Sequence, residues 1–101
     1  MKHPLLNAKS SHYDKNGEPA IKGLEKEQTV IEQIGWCKGN IYKYKYRQDH
    51  KGQKESDLEK IEDYTRYKNF LCELRIHNQY IEVMTVSDAY RHLGIEMEYE
   101  V

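Results

Sequence analysis

The chain has 101 residues and a formal net charge of −1, with 38% hydrophobic and 33% charged residues. This length predicts one domain, residues 1–101, whose core is so small that we expect a homo-oligomer to add buried surface. The balanced charge makes nucleic acid a less favoured partner. The sequence contains no apolar run of about 18 residues, the length that a membrane span needs. We therefore expect a cytoplasmic protein without a membrane partner.

Residues 1–22 are polar and rich in Pro, Asn and Gly, and they predict an irregular N-terminal arm. Apolar residues at helical spacing predict three helices after this arm, over residues 23–34, 36–48 and 56–76. Gly35 is expected to end the first helix. Ser56 and Glu59 match a capping box at the start of the third helix, where each side chain satisfies a backbone N–H group.

The C-terminal segment, residues 77–101, changes character. A Tyr-Ile-Glu-Val-Met run predicts a strand over 80–84. Ser87 is expected to cap a short helix that Gly94 stops, and alternating apolar and acidic residues predict a second strand over 95–101. The predicted fold class is mainly α: a small three-helix core with an irregular N-terminal arm and a C-terminal strand–short helix–strand appendage.

The second predicted helix places basic side chains beside its apolar seam. At about 100° per residue, Asn40, Lys43 and Arg47 form a stripe next to the one that holds Ile41 and Tyr44. A surface helix usually carries its charges opposite its core face, and Lys and Arg are natural phosphate ligands, so this stripe predicts a rim that holds an anion. The alternative is a solvated helix whose charges pair with acidic residues of the third helix. Further lysines extend the basic stretch, at Lys38, Lys51 and Lys54.

Two other positions are candidates for contacts with a ligand. His12 and Tyr13 predict a loop that closes over the ligand, with Tyr13 stacking and His12 bonding phosphate; the alternative is a loosely packed arm. Asp57 shares a helical face with Tyr64, where we expect it to meet a cation of the second helix. It would orient that cation, or bind a sugar hydroxyl or a metal. The alternative for Asp57 is an acid that only stabilises the start of the helix.

Motifs of several enzyme classes are absent from the sequence. It contains no G-x-x-x-x-G-K-[ST] loop and no dinucleotide-binding G-x-G-x-x-G. The spacing of Cys and His is not typical of zinc sites, and no Ser-His pair has the context of a catalytic triad. No metal ligands are predicted, and a magnesium cofactor has no clear site. Cys37 and Cys72 are expected to be free thiols.

A series of spaced polar residues runs from the arm into the third helix. A His-Tyr pair is followed by Lys-Gly-Asn-x-x-Lys-Tyr-x-x-Arg, by Lys-Gly and by Asp-Leu-x-Lys-x-x-x-Tyr, at His12-Tyr13, Lys38-Gly39-Asn40, Lys43-Tyr44, Arg47, Lys51-Gly52, Asp57-Leu58, Lys60 and Tyr64. Over residues 11–75 this pattern resembles a phage and prophage family, the domain-of-unknown-function family 3310. That family includes a coliphage nucleotide kinase that acts on deoxynucleoside monophosphates without a P-loop. The resemblance implies a nucleotide as partner and the cytoplasm of a bacterial host as location.

The resemblance also implies roles for residues of this chain. Lys43 and Arg47 would hold phosphates during catalysis, and Asp57 would orient a cation or a hydroxyl group. The nucleotide-binding residues expected around them are His12, Tyr13, Lys38, Asn40, Tyr44, Lys51, Lys54 and Tyr64. We therefore expect a phage-type nucleotide-binding protein and, at a finer level, a deoxynucleoside monophosphate kinase.

Two alternatives remain open. A non-enzymatic phage protein would use the same cationic site to sequester a nucleotide, or would bind and inhibit a host protein. A nucleoside triphosphate pyrophosphohydrolase of the MazG type is similar in its all-α architecture and binds magnesium through E-x-x-E and E-x-x-D. Glu59, Glu62 and Asp63 stand on the third helix, but Asn40 and Lys43 occupy the place of the first acidic pair, which implies a degenerate metal site.

Overall fold

A computed structural model describes residues 1–5, 19–51 and 54–99, without the side chains at positions 51 and 54. These residues form four α-helices and one 3₁₀ helix: α1 Ala20–Glu27, α2 Val30–Lys51, α3 Lys54–His77, the 3₁₀ helix Gln79–Val83 and α4 Val86–Leu93. The prediction of a mainly α fold is confirmed. None of the helices in the described residues is long and apolar enough to cross a membrane.

The antiparallel pair α2–α3 forms the centre of the fold, and it is the most extensive contact between two elements. Val30, Ile34 and Cys37 lie on one face of α2 at positions i, i+4 and i+7 and are buried. On α3, Tyr67 and Leu71 belong to the same core. Cys37 is a free thiol, and burial raises the pKa of this thiol to about 12.

The break between the first two helices lies at Thr29, well before the predicted stop at Gly35. The Thr29 hydroxyl accepts the Glu32 N–H at 3.2 Å, and the Glu32 carboxylate accepts the Thr29 N–H at 2.9 Å. This reciprocal pair is a capping box that begins α2. The helix then continues through Gly35 because Ile34 and Cys37 both face the core. The predicted boundary between the first and second helices is therefore wrong.

The segment after α3 is the 3₁₀ helix Gln79–Val83 and not the strand predicted over residues 80–84. Ile81 is fully buried, whereas Tyr80 and Val83 are more than half exposed. One buried position per turn fits the three-residue repeat of a 3₁₀ helix. The strand prediction is wrong because the packing of Ile81 into the core decides the conformation of this short run, rather than its β-forming residues.

The caps of α4 match the sequence prediction at one end only. Thr85, and not the predicted Ser87, caps the helix, and its hydroxyl accepts the Asp88 N–H at 3.2 Å. At the other end Gly94 has a φ of 70° and stops α4, as predicted. Only glycine adopts this left-handed conformation at little cost, so its role as a helix stop was readable from the sequence.

Instead of the strand predicted over residues 95–101, the described residues 95–99 contain one backbone bridge to the N-terminal segment. Lys2 and Glu98 form an isolated parallel bridge. In this bridge the His3 N–H donates to the Glu98 carbonyl at 2.9 Å, and the Glu98 N–H donates to the Met1 carbonyl at 2.7 Å. Residues 6–18 of the predicted arm and the last two residues of the predicted strand lie outside the described residues, whereas residues 20–22, which were predicted to be irregular, belong to α1.

A buried carboxylate on α1 joins most of these elements. Glu25 has no exposed surface and accepts four hydrogen bonds. The donors are the His3 Nε2 at 3.0 Å, the Tyr67 hydroxyl at 2.5 Å, the Tyr90 hydroxyl at 2.6 Å and the Tyr99 hydroxyl. They come from the N-terminal segment, α3, α4 and the C-terminal segment. Glu25 and these four donors are called the Glu25 hub below.

The hydrogen bonds of His3 show which of its ring nitrogens carries the proton. The Leu5 N–H donates to His3 Nδ1 at 3.1 Å, so Nδ1 has a lone pair and the proton is on Nε2. His3 is therefore a neutral donor to Glu25. The hub contains one buried negative charge, which four hydrogen-bond donors stabilise in place of a counter-ion.

The hub predicts a large loss of stability for Glu25→Gln. The new amide NH₂ group would face donors that then lack an acceptor, so we expect the free energy of unfolding to fall by about 3 kcal/mol. Urea unfolding measures this loss. Glu27→Gln is the control, because Glu27 is an exposed acid on the same helix and should change stability by less than about 0.5 kcal/mol. Equal stability of the two variants would show that the hub is dispensable.

The hub also predicts that the protein loses stability at high pH. Burial, followed by the negative charge of Glu25, raises the pKa of Tyr67, Tyr90 and Tyr99 well above the ordinary value of 10.0. Above pH 10 the unfolded chain loses its tyrosine protons, whereas the folded chain still retains these three. Their contribution to the free energy of unfolding is therefore fully present below pH 10 and is lost as the pH rises. We expect a slope of up to about 1.4 kcal/mol per pH unit for each tyrosine.

Urea unfolding at a series of pH values tests this decline. Tyr90→Phe removes one of the three hydroxyl groups, so its decline above pH 10 should be shallower than that of the wild type. This holds even though the variant starts from a lower stability at neutral pH. A wild-type stability that does not change across the alkaline range would contradict the prediction.

Candidate functional site

The candidate site is centred on Tyr44 of α2, which faces the N-terminal part of α3. The Tyr44 ring is buried and stacks on Tyr64, with centroids 6.1 Å apart and planes 16° apart. Trp36 packs edge-on against Tyr64 at 5.2 Å, and burial raises the pKa of Tyr64 to about 12. These three rings form a rigid support. The exposed rings of α2 are instead Tyr42 and Tyr46, at 72% and 54%, and Tyr46 stacks on His50 with centroids 4.2 Å apart.

Three cationic groups surround the Tyr44 ring. Lys43 Nζ lies 4.6 Å, Lys60 Nζ 4.8 Å and Arg47 Cζ 5.7 Å from the ring centroid. Each such cation–π contact contributes about 0.5–1 kcal/mol at an exposed site. Because Lys43 and Arg47 belong to α2 and Lys60 belongs to α3, the arrangement depends on the helix pair. Tyr44 and these three cations are called the cationic cluster below.

Asp57 is a carboxylate beside the cationic cluster. Its side chain is 1% exposed, and its Oδ2 lies 3.9 Å from Arg47 Nε, which is too far for a hydrogen bond. Neither oxygen of Asp57 has a hydrogen-bond partner among the described residues. Asp57 lies in the first turn of α3, where the helix dipole favours a negative charge. Because Asp57 is a single carboxylate beside three cations, the cluster keeps a positive charge.

Other predicted site residues lie at the edge of this cluster or outside the described residues. Asn40 is half-buried, and its amide group donates to the Trp36 carbonyl at 2.9 Å. Lys38 is exposed and lies about 140° around α2 from Lys43, so it is not part of the cluster. The residues about which the structure gives no side-chain position are His12, Tyr13, Lys51 and Lys54.

The acidic residues of α3 do not converge as the acids of a MazG-type metal site would. Glu59 and Glu62 are exposed, whereas Asp63 is buried and accepts a hydrogen bond from Arg66 at 2.9 Å. Within residues 1–5, 19–51 and 54–99, no three His, Cys, Asp or Glu side chains are grouped so that they could hold a metal ion. The described residues therefore provide a cationic cluster rather than an acidic one.

A family described as "Protein of unknown function (DUF3310)" matches residues 7–66, which is more than half of the chain. The chain belongs to the DUF3310 family. No curated protein and no solved structure matches the chain. The DUF3310 match includes α1, α2 and the first half of α3, and thus the whole cationic cluster, whereas α4 and the C-terminal segment lie outside it.

Sequence reasoning had not assigned a role to Lys60 of this DUF3310 protein. Lys60 follows Asp57 by three residues and precedes Tyr64 by four, and this spacing places all three on one face of α3. The spacing of Lys60 from Asp57 and Tyr64 is therefore the sequence signal that places it at the site. No comparable local signal pointed to the Glu25 hub, because its donors are distant in the sequence.

The contact between Arg47 and Asp57 predicts a coupling that a double-mutant cycle measures. Arg47→Ala should lower the free energy of unfolding by about 2 kcal/mol, because it leaves Asp57 buried without a counter-charge. In the Asp57→Asn background the same substitution should cost only about 0.5–1 kcal/mol, which is the contribution of the contact between Arg47 and the Tyr44 ring. Asp57→Asn alone should be neutral or stabilising, since it removes a buried charge that lacks hydrogen bonds.

Urea unfolding of the four proteins gives the coupling energy. Lys45→Ala serves as the control, because Lys45 is exposed on the same helix. An equal loss on Arg47→Ala in the two backgrounds would show that Asp57 does not interact with the guanidinium group.

Proposed function

We propose that this DUF3310 protein binds nucleotides through their phosphate groups, and that the cationic cluster is the binding site. The observation that supports this most directly is the convergence of Lys43, Arg47 and Lys60 on the buried ring of Tyr44. Like charges held this close repel one another, and a phosphate group would relieve that repulsion. The folded chain thus has a position where an anion is more favourable than water.

The chemistry of each residue suggests how a nucleotide would be held. The ammonium groups of Lys43 and Lys60 act as point charges, and the guanidinium of Arg47 can bind two phosphate oxygens at once. Asp57, which is buried with its Oδ2 3.9 Å from Arg47 Nε, would orient the guanidinium group of Arg47 towards the phosphates. Tyr46, which lies about 60° around α2 from Lys43 and already stacks on His50, would offer its exposed ring to the base.

At a finer level we propose phosphoryl transfer to a deoxynucleoside monophosphate by a phage-type enzyme. An oxygen of the acceptor phosphate would form a bond to the terminal phosphorus of a donor nucleotide, as the donor's bridging P–O bond breaks. Catalysis of such transfers consists mainly of positioning the phosphates and neutralising their charge. Lys43, Arg47 and Lys60 are suited to both tasks.

A second candidate function is binding without chemistry, in which the protein sequesters a nucleotide or inhibits a host protein. The exposed positions of Glu59 and Glu62 favour this candidate over pyrophosphate hydrolysis, because hydrolases of the MazG type need converging carboxylates. The same cationic cluster serves sequestration and transfer, so binding and turnover must be measured separately.

Calorimetric titration with deoxynucleoside mono- and triphosphates at low salt tests the binding site. Lys43→Ala and Lys60→Ala should each weaken binding about tenfold, which corresponds to about 1.4 kcal/mol. Lys45→Ala, which removes an exposed lysine from another face of α2, should leave the affinity unchanged. A wild-type protein that binds none of these nucleotides, or an equal effect of Lys43→Ala and Lys45→Ala, would contradict the proposal.

Chromatography of the nucleotides after incubation, with and without magnesium, distinguishes the two functions. Conversion of a deoxynucleoside monophosphate and a triphosphate into diphosphates supports the kinase. Recovery of bound but unchanged nucleotides supports sequestration. Release of pyrophosphate would instead show hydrolysis and would overturn both candidates.

A further inference from the structure

The N-terminal segment has one backbone edge with which no other described segment pairs. The Met1 carbonyl and the His3 N–H point to one side of the chain, where both bond to Glu98. In an extended chain the N–H and C=O groups of the residue between them point to the opposite side. No hydrogen bond joins the N–H or C=O of Lys2 to another described residue. The outer edge of the bridge therefore offers one free donor and one free acceptor.

A groove of about 400 Å³ separates the N-terminal segment from α3. One wall is formed by residues 1–4, and the other wall by Arg66, Asn69, Phe70 and Glu73. The Arg66 guanidinium donates to a backbone carbonyl of the first wall at 2.8 Å, which fixes the two walls relative to each other. Addition of an extended peptide to an exposed edge is a recurring mode of recognition, in which backbone hydrogen bonds give affinity and side chains give specificity.

The existing bridge shows which side chains suit a strand opposite Lys2. Its paired residue is the acid Glu98, whose neighbours Met97 and Tyr99 are half-buried. Opposite charges form a favourable cross-strand pair. The Lys2 ammonium is exposed and has no ion-pair partner among the described residues. A second strand with an acid between two apolar residues would therefore match the outer edge as residues 97–99 match the inner edge.

The floor of the groove suits the apolar neighbours of such an acid. Successive side chains of a strand point to opposite faces, so the neighbours of an acid opposite Lys2 lie on the same face as the buried side chain of His3. Phe70 is half-buried and lines the groove. Apolar side chains that pack on the exposed part of this ring would remove apolar surface from water.

Lys2 also makes the edge selective. A lysine on a free edge opposes pairing with apolar or basic strands, because its ammonium group would lose water or meet a like charge. An acidic residue opposite Lys2 removes this obstacle. Discrimination then comes from repulsion of the wrong strands as well as from attraction of the right one.

We propose that this groove binds an extended peptide of a partner protein, in which an acidic residue lies between two apolar residues. The peptide adds as a strand to the outer edge of the N-terminal segment, and its backbone bonds to the N–H and C=O of Lys2. The acid pairs with the Lys2 ammonium, and the apolar residues pack on Phe70. The groove shares no residue with the cationic cluster, so the proposal does not depend on nucleotide binding.

Nuclear magnetic resonance titration of the full chain with a synthetic peptide tests this proposal. The acidic probe is acetyl-Thr-Val-Glu-Val-Thr-amide, whose side chains read the same in both directions, so that it fits a parallel or an antiparallel strand. It should shift the amide signals of residues 1–3 and 69–73. A basic probe with Lys in place of the central Glu should bind about fivefold more weakly, because it replaces a favourable cross-strand charge pair by an unfavourable one.

Backbone methylation of the acidic probe tests whether it binds as a strand. N-methylation of the central Glu removes the donor that an antiparallel peptide uses towards Lys2, and N-methylation of the following Val removes the donor that a parallel peptide uses. One of these two changes should weaken binding at least tenfold, since it removes a hydrogen bond and adds a methyl group at the edge. Equal affinities of both methylated probes and the unmodified probe would overturn the proposal.

A charge exchange tests the role of Lys2. The double variant Lys2→Glu/Glu98→Lys keeps opposite charges within the bridge but reverses the charge at the outer edge, so it should bind the basic probe more tightly than the acidic one. A gain in affinity for the basic probe cannot result from a damaged fold. Lys38→Glu is the matched control, because Lys38 is an exposed lysine of α2, and it should leave both affinities unchanged.

Three further outcomes would contradict the proposal. The first is the absence of shifts with the acidic probe at millimolar concentration, and the second is an unchanged preference for the acidic probe in the double variant. The third is a dimer in sedimentation equilibrium that the acidic probe dissociates, which would assign the edge to a second copy of this chain. Failure of nucleotides to bind at the cationic cluster would contradict the proposed function but would leave the proposal for this groove intact.

Discussion

The buried negative charge of Glu25 is the constraint on which the rest of the structure depends. A carboxylate without exposed surface is tolerated only when donors surround it, and here an imidazole and three phenol groups supply them. The donors come from four segments: the N-terminal segment, α3, α4 and the C-terminal segment. Each segment must take its position for the charge to be stabilised, so this one group selects a single arrangement of α1, α3, α4 and the two terminal segments.

The helix starts reinforce this arrangement at a second point. Thr29, which caps α2, and Thr85, which caps α4, form an isolated antiparallel bridge. The Val30 N–H donates to the Met84 carbonyl at 2.9 Å, and the Val86 N–H donates to the Gln28 carbonyl at 3.0 Å. Backbone groups that a helix start would leave unpaired are thus satisfied between two helices. The contact fixes α4 beside the start of α2. The far end of α2, which carries Lys43 and Arg47, packs against α3.

The sequence was informative where structure depends on local spacing and uninformative where it depends on distant partners. Helical periodicity and the glycine at position 94 predicted the helical fold and the end of α4. The T-x-x-E signature of Thr29 and Glu32 is also present in the sequence, and it places the start of α2 before Gly35. Residues 80–84 could not be predicted as a 3₁₀ helix, because burial of Ile81 decides their conformation.

The cationic cluster and the Glu25 hub also differ in how far the sequence alone predicts them. Lys43, Arg47 and Asp57 are candidates from the sequence alone, because helical spacing places them on adjacent faces of neighbouring helices. The structure brings Arg47 Nε to 3.9 Å from Asp57 Oδ2. Glu25 was not a candidate, since its tyrosine donors lie 42, 65 and 74 residues further along the chain. Nothing in the local pattern distinguishes such an acid from one that faces solvent.

The pairing of Met1–His3 with Glu96–Glu98 has a consequence for the order of folding. The Met1 nitrogen and the Glu96 carbonyl meet over a sequence separation of 95 residues. Closing so long a loop costs about 2 kcal/mol more chain entropy than closing the loop of about ten residues that joins Arg47 to Asp57. The α2–α3 pair therefore forms before the terminal segments meet. The Tyr99 hydroxyl therefore reaches the carboxylate of Glu25, and completes its set of four donors, only when the chain closes on itself.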